Sequence, residues 1–159
     1  MTPPFDSARF RQVLGHFPTG VTVITGAGDP PAGMAVGSFA SVSLEPPLVG
    51  FFVAHTSSTW PKIEQTGSFC VNVLAEDQEE LCRRFASKAE DKFAGVGWQA
   101  AATGSPLLDG VLAWIDCDIE SALDAGDHQC ILGRVRDLGV AHDGAPLVFY
   151  RGGYGRFAV

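Results

Sequence analysis

Four short stretches of this chain carry residue types that could do chemistry, and their pattern suits holding a ligand better than breaking a bond. The first is Gly33-Met-Ala-Val-Gly-Ser-Phe-Ala-Ser-Val-Ser-Leu-Glu-Pro-Pro-Leu48. Ser38, Ser41 and Ser43 stand there among apolar neighbours, with the small residues Gly33, Ala35 and Gly37 upstream. A strand of small residues lets another molecule approach its backbone closely. The exposed N–H and C=O groups can then hydrogen-bond a flat ring system, which makes the stretch a candidate wall for an aromatic cofactor such as a flavin. The ordinary alternative is a barrel strand whose hydroxyls bond neighbouring backbone. Ser41 and Ser43 flank Val42 and, in a regular strand, would share a face.

The second stretch is His55-Thr-Ser-Ser-Thr59, a polar loop before an expected helix at Trp60. Hydroxyls, backbone N–H groups and the helix dipole together make a phosphate site; the alternative is a helix cap made by Ser58 or Thr59. The third, Ser87-Lys-Ala-Glu-Asp-Lys92, offers two ammonium groups in an acidic protein. A net-negative chain that binds an anion needs such local positive charge, although a solvated loop has the same composition. The fourth, Gly126-Asp127-His128, sets a histidine at a turn, where it can donate a hydrogen bond or a proton near neutral pH. Asp127 bonding the turn's own backbone is the competing reading.

The elements that must position these stretches are mostly strands. Phe10, Val13, Leu14 and Phe17 follow helical spacing, so a helix is expected over Ser7–Phe17, capped by Asp6 or Ser7. Val21–Thr25, Leu48–Val53, Phe69–Leu74, Leu112–Ile119, Gln129–Leu138 and Pro146–Tyr150 read as strands, with Gly33–Leu44 as a continuous wall. Short helices are expected over Trp60–Gln65 and from Asp77 to Ala86, the second opened by a capping box of Asp77 and Glu80. Ser87–Gly97 reads as irregular, Gly152-Gly153 as a turn and Tyr154–Val159 as a tail.

The totals bound the function classes. The 159 residues suffice for one domain with a sizeable core, and 46% apolar against 18% charged residues marks a globular chain. Nineteen glycines and ten prolines favour a turn-rich β protein over a helical bundle. A net charge of −7 with no basic cluster argues against nucleic acid. No apolar run approaches the roughly 20 residues that span a bilayer, and the N-terminus lacks the basic and apolar regions of a signal peptide. Cys70, Cys82, Cys117 and Cys130 form no CxxC pair, so no zinc site is expected. Reduced core thiols in a cytoplasmic protein are the simplest reading of them. Walker A, HExxH, GxSxG and strand–GxGxxG–helix patterns are absent, so a nicotinamide nucleotide, if bound, is not held by a Rossmann unit.

Taken in order, these motifs resemble a known family. Phe10-Arg11, Leu14-Gly15, Phe17-Pro-Thr-Gly-Val21, Gly33-Met34, Ser38-Phe39 and Ser41-Val-Ser-Leu-Glu-Pro-Pro-Leu48 carry the first half of the likeness. Phe69-Cys-Val-Asn-Val-Leu74, Arg84-Phe85, Lys92-Phe93, Gly126-Asp-His128 and Pro146-Leu147 with Tyr150 and Gly152 carry the second. The chain resembles, from Phe5 to Tyr154, the short-chain flavin reductases that serve two-component flavin-dependent monooxygenases. That resemblance implies a mainly β fold, an FMN-binding split β-barrel of Greek-key type with a few peripheral helices, as one domain over residues 1–159. It also implies a homodimer with flavin near the subunit interface.

By the same resemblance, Met34, Ala35, Val36, Gly37 and Ser38, with Ser41, Val42 and Ser43, would contact the isoalloxazine and ribityl parts of FMN or FAD. Thr56, Ser57, Ser58, Thr59 and Trp60, with Ser87, Lys88 and Lys92, would hold the phosphate end. His128 and Tyr154 would lie on the nicotinamide side, His128 placing the ring and, secondarily, moving a proton. Gly37 departs from the family pattern, where a polar residue such as Asn is usual. The implied activity is NAD(P)H:flavin oxidoreduction, with reduced flavin passing to a separate oxygenase, an aromatic-ring hydroxylase being the nearest likeness. No arginine suited to a 2′-phosphate is legible, which favours NADH over NADPH. Two other readings stay open: a flavin-binding electron carrier without NAD(P)H turnover, and a flavin-free barrel holding another apolar ligand.

Overall fold

Two strands carry the architecture, β9 (Ala113–Ala125) and β10 (His128–Val140), each 13 residues long. They pair antiparallel through the two-residue turn Gly126-Asp127, whose Gly126 takes φ +65°. Glycine has no Cβ to clash in that left-handed region, which is why a tight hairpin turn selects it. The computed structural model describes residues 5–158; Met1–Pro4, part of the N-terminus read above as no signal peptide, and Val159, the end of the expected tail, lie outside the described residues.

Around this hairpin stand β2 (Thr22–Gly26), β3 (Ala32–Val36), β4 (Ala40–Ser43), β5 (Leu48–Ala54) and β6 (Ser68–Val73). The sheet order is β3-β2-β6-β9-β10-β5-β4, antiparallel throughout. Its two edges curl toward one another. The ladder does not run between β3 and β4, but Ser38, just past β3, bonds both backbone groups of Phe52 on β5: its hydroxyl donates to the carbonyl at 3.2 Å and accepts from the N–H at 2.9 Å. A smaller sheet, β1 (Thr19–Gly20), β11 (Leu147–Tyr150) and β12 (Gly153–Arg156), flanks the first. The helices α1 (Ser7–Leu14), α2 (Trp60–Glu64) and α3 (Glu79–Ala86) lie at the periphery. This is the expected split barrel with few helices.

Strand alternation explains the two cores. Every residue of β2 is buried, because successive side chains point to opposite faces and both faces are covered. Ile24 joins Phe51, Phe69, Trp60, Val71 and Ile131 inside the barrel. Val23 joins Leu74, Phe85, Phe93, Leu108 and Leu147 outside it. The inner aromatics meet edge to face, Phe51 with Phe69 at 5.2 Å and with Trp60 at 5.5 Å, the arrangement the ring quadrupole favours. Each such fully buried side chain contributes about 1.5–3 kcal/mol.

The wall expected over Gly33–Leu44 is two strands, broken at Gly37-Ser38-Phe39, and they sit at opposite edges of the sheet. A bulge at Val42 pairs Ser41 with Val49 and Ser43 with Leu48, consecutive residues on β5, so Ser41 and Ser43 do not share a face. The first helix stops at Leu14, capped as expected by Asp6 accepting from the Arg9 N–H at 2.7 Å, but it buries no residue. The helix expected from Asp77 begins at Glu79 with Gln78 at its cap. With Gln78 rather than Asp77 at the cap, Glu80 is the second helical residue and not the third, so the capping box is not made, and the Gln78 amide instead bonds the Ala75 N–H and the Asp109 carbonyl. The Gly152-Gly153 turn falls at Arg151-Gly152, both with positive φ, and the tail beyond it is strand β12. A hairpin of β7 (Trp98–Ala100) and β8 (Pro106–Leu108) has no counterpart in the sequence reading. Buried polar side chains fasten it: Asn72 Oδ1 accepts from the Leu108 N–H at 2.9 Å, and Asp116 accepts from the Thr103 N–H and hydroxyl.

Candidate functional site

Parts of three of the chemistry-bearing stretches, Gly33–Ala35, Thr56–Thr59 and Ser87–Lys92, converge where β3 passes between α2 and α3. A cleft of about 790 Å³ opens there. Gly33, Met34 and Ala35 form one wall, and the Phe85 and Phe93 rings, edge to face at 5.0 Å, form its apolar base. Gly33 is required by that contact: a Cβ at this position would stand 2.6 Å from the Phe85 ring. The small residue therefore admits Phe85, and only then the ligand space above it.

Opposite β3, the Thr56–Thr59 loop enters α2 and lines the cleft. Ser57 is its cap: its hydroxyl accepts from the Trp60 N–H at 3.1 Å, the role expected of Ser58 or Thr59. Thr59 occupies the cap position in a helical conformation and makes no such bond. The hydroxyls of Thr56, Ser58 and Thr59 consequently have no partner among the described residues, and they face solvent or a ligand. Ser87, Lys88 and Lys92 close the third side. The Ser87 hydroxyl donates to the Arg84 carbonyl at 2.6 Å and accepts from the Ala89 N–H, so it terminates α3. Lys92 is half-buried and donates to the carbonyls of Gly33 at 3.2 Å and Phe85 at 3.1 Å. Burial, and then the charge of nearby Lys62, hold its ammonium below the usual lysine range.

The histidine of the β9–β10 turn stands next to this cleft rather than in its lining. His128 pairs across the ladder with Ala54, which lines the cleft. Its Nδ1 lies 2.7 Å from Asp127 Oδ1, and that contact pulls the exposed Asp127 carboxyl below its ordinary range. His55 Nε2 lies 3.5 Å from Asp124 across the same turn, while the His55 N–H donates to the Asp127 carbonyl.

The remaining expected residues lie apart from the cleft lining. Val36 and the Trp60 ring are buried in the inner core. Gly37 is open: a Cβ there would meet the Thr19 hydroxyl at 3.3 Å and nothing else. Ser38 is engaged with Phe52, and Ser41, Val42 and Ser43 belong to the edge strand β4. Tyr154 sits in the small sheet, its hydroxyl 3.3 Å from Cys82 Sγ and its ring beneath the Arg83 guanidinium at 4.7 Å. Burial and the Cys82 contact push the Tyr154 phenol up to about 12, so it is a neutral hydrogen-bonding group. Burial and Asp116 likewise raise the Cys70 thiol and push the Cys117 thiol up to about 12. Both are core residues, as expected, and inert as nucleophiles.

Among the cleft's cations, Lys62 escapes the sequence reading. It stands on α2 and lines the cleft together with Lys88 and Lys92, with Glu90 as the acid beside them. The available signal is its place three residues after Thr59, one turn into a helix that begins at a hydroxyl-rich loop.

This arrangement has an apolar wall at one end and free hydroxyls and lysines at the other. It suits a molecule with a flat ring and a phosphate-bearing chain. Residues 14–158 match the family model described as flavin reductase like domain. The chain belongs to that family. Among its relatives, a flavin reductase of Pseudomonas putida is 55% identical over 156 residues, covering 96% of this chain and 91% of that one. The reductase subunit HsaB of a flavin-dependent monooxygenase from Rhodococcus jostii is 54% identical over 150 residues, covering 94% and 77%. Among solved structures, the Streptomyces globisporus NADH:FAD oxidoreductase in complex with NAD and FAD fragments superposes with a TM-score of 0.93 at 37% identity, covering 99% of this flavin reductase family chain and 96% of that one.

Proposed function

We propose that this protein is an NADH-dependent flavin reductase that supplies reduced FMN or FAD to a separate flavin-dependent oxygenase. The observation that carries the reading is the cleft in which unpartnered hydroxyls and lysines face an apolar wall, with His128 one ladder position from its rim. A flavin held in this cleft would supply the hydride-accepting redox chemistry, with a nicotinamide as donor, and the two cofactors would carry that chemistry themselves. The chain's own residues bind and orient. Met34, Ala35 and the strand backbone line the ring end; Thr56, Ser58, Thr59 and Lys88 bind the phosphate end. His128, steadied by Asp127, orients the nicotinamide. Holding two reactants face to face is the main catalytic contribution of such a site.

The relatives' names support a partner that is a monooxygenase component; an aromatic-ring hydroxylase is the finer proposal. We also propose a homodimer working in the cytoplasm. The apolar face of α1 is uncovered, with Phe10 51% exposed, and Phe17 beyond its end is 73% exposed. On the sheet, Phe52, Cys130 and Leu123 stand side by side across three strands with the two larger residues exposed. A second copy would cover this surface and complete the nicotinamide side, where Tyr154 would act as well.

The test is steady-state loss of NADH absorbance by purified protein with added FMN or FAD. Turnover that saturates with free flavin is expected. Flavin binding without turnover would make the protein a carrier, and absence of binding would remove the flavin reading altogether.

A further inference from the structure

The three lysines of the cleft are not equivalent. Lys92 gives two of its three N–H donors to the carbonyls of Gly33 and Phe85, fastening β3 to the last turn of α3. Its first task is to hold the cleft's shape. Lys62 and Lys88 are exposed and have no hydrogen-bond or ion-pair partner among the described residues. The backbone fixes where Lys62 begins: its N–H donates to the Thr59 carbonyl at 3.0 Å, so it stands one turn after the hydroxyl-bearing loop, and it lines the same cleft as Thr56, Ser58 and Thr59. Its stem lines the cleft, and its ammonium is close enough to Lys92 to depress that group's basicity. Two like charges held near each other in an acidic protein repel unless an anion joins them.

We infer that Lys62 is a phosphate-reading residue of this cleft, its ammonium meeting the phosphate of the bound flavin nucleotide, while Lys92 is a positioning residue that keeps the wall and α3 together. The inference rests on the flavin reductase reading and adds to it a residue, Lys62, and a division of labour. It also assigns the selectivity of the cleft: Lys62 separates phosphorylated flavins from riboflavin and contributes nothing to holding the ring.

The test compares riboflavin, FMN and FAD binding, by quenching of flavin fluorescence, in the wild type, Lys62→Gln and Lys62→Arg. Lys62→Gln should weaken FMN and FAD by up to about fivefold, the range of an exposed charge pair, and leave riboflavin unchanged. It should also flatten the loss of FMN affinity with added salt, because one screened contact is gone. Lys62→Arg should retain FMN binding and its salt dependence. Equal weakening of riboflavin and FMN would show that Lys62 shapes the cleft instead, and unchanged binding of all three would remove it from the site; either result overturns the inference. A wild type that binds riboflavin and FMN equally well overturns phosphate reading while leaving the flavin reading intact. A wild type that binds no flavin sinks the reductase reading itself.

Discussion

The two ends of the proposed site are built in opposite ways. At the cleft end, groups far apart in sequence are locked together: Lys92 ties Gly33 to Phe85, and Phe85 fills the space that only a glycine leaves open. At the hairpin end, His128 is steadied chiefly by the residue before it, an exposed aspartate on a two-residue turn. The first end is finished by the fold. The second is half-made, a histidine on a rigid pair of long strands with little around it. The difference teaches where each kind of ligand belongs: a preformed cleft suits the group that must be held in one pose, and an open turn suits the one that arrives and leaves.

The largest break in that contrast should come from Gly33→Val. The new side chain cannot coexist with Phe85 in place, so the variant should lose about 1–3 kcal/mol of stability, the usual cost of overpacking, and its flavin binding as well. Thermal denaturation and flavin fluorescence report the two effects; wild-type affinity in a folded Gly33→Val protein would mean that β3 is not the wall. His128→Ala attacks the other end. It should raise the KM for NADH roughly tenfold, the equivalent of one hydrogen bond, with flavin affinity unchanged, and an unchanged KM would take His128 out of the site.

A subtler separation comes from pH. Burial disfavours the charged form of Lys92, so its folded pKa lies below the 10.5 of a free lysine. Between those two values the unfolded chain binds more protons, so stability should rise with pH across that window as the penalty of burying charge is relieved. FMN affinity should fall across the same window, because the cleft loses a positive charge. Lys62→Gln removes the second cause of the depression and should move the FMN inflection to higher pH; an inflection at the same pH in both proteins would unlink the two lysines. The smallest effect is expected from Tyr154→Phe. Losing the hydroxyl contact to Cys82 should cost about 1 kcal/mol in a thermal melt, and the KM for NADH should rise less than twofold unless a partner subunit brings the phenol to the nicotinamide.

Much of the fold is legible in the residues alone. Val21–Thr25 and Leu48–Val53 announce buried strands by their β-branched and apolar runs, and the Asp6 cap follows from residue type. What escapes depends on distance. The β7–β8 hairpin is made of short, unpatterned pieces held by Asn72, Asp116 and Thr103, whose partners lie 13 to 36 residues away. No local window contains that information. The helical period of Phe10, Val13, Leu14 and Phe17 predicts a helix that forms only to Leu14, and it says nothing of burial: the apolar face is exposed, because periodicity reports such a face but not what covers it. The serine wall fails by one residue: a bulge at Val42 cannot be seen in a pattern that alternates perfectly on paper.

Ser38 carries a last consequence. A barrel sealed by main-chain bonds is sealed whatever side chains it bears. Here, where the ladder stops, a hydroxyl imitates a backbone residue, offering Phe52 one donor and one acceptor. Ser38 stands opposite Phe52 in the register that sets Ala40 opposite Gly50, so its hydroxyl prolongs the β4–β5 pairing at the point where the chain crosses from one edge of the sheet to the other. The crossing is thus held by a side chain as well as by the chain's own continuity, and a Ser38→Ala change would leave both Phe52 groups to find water there.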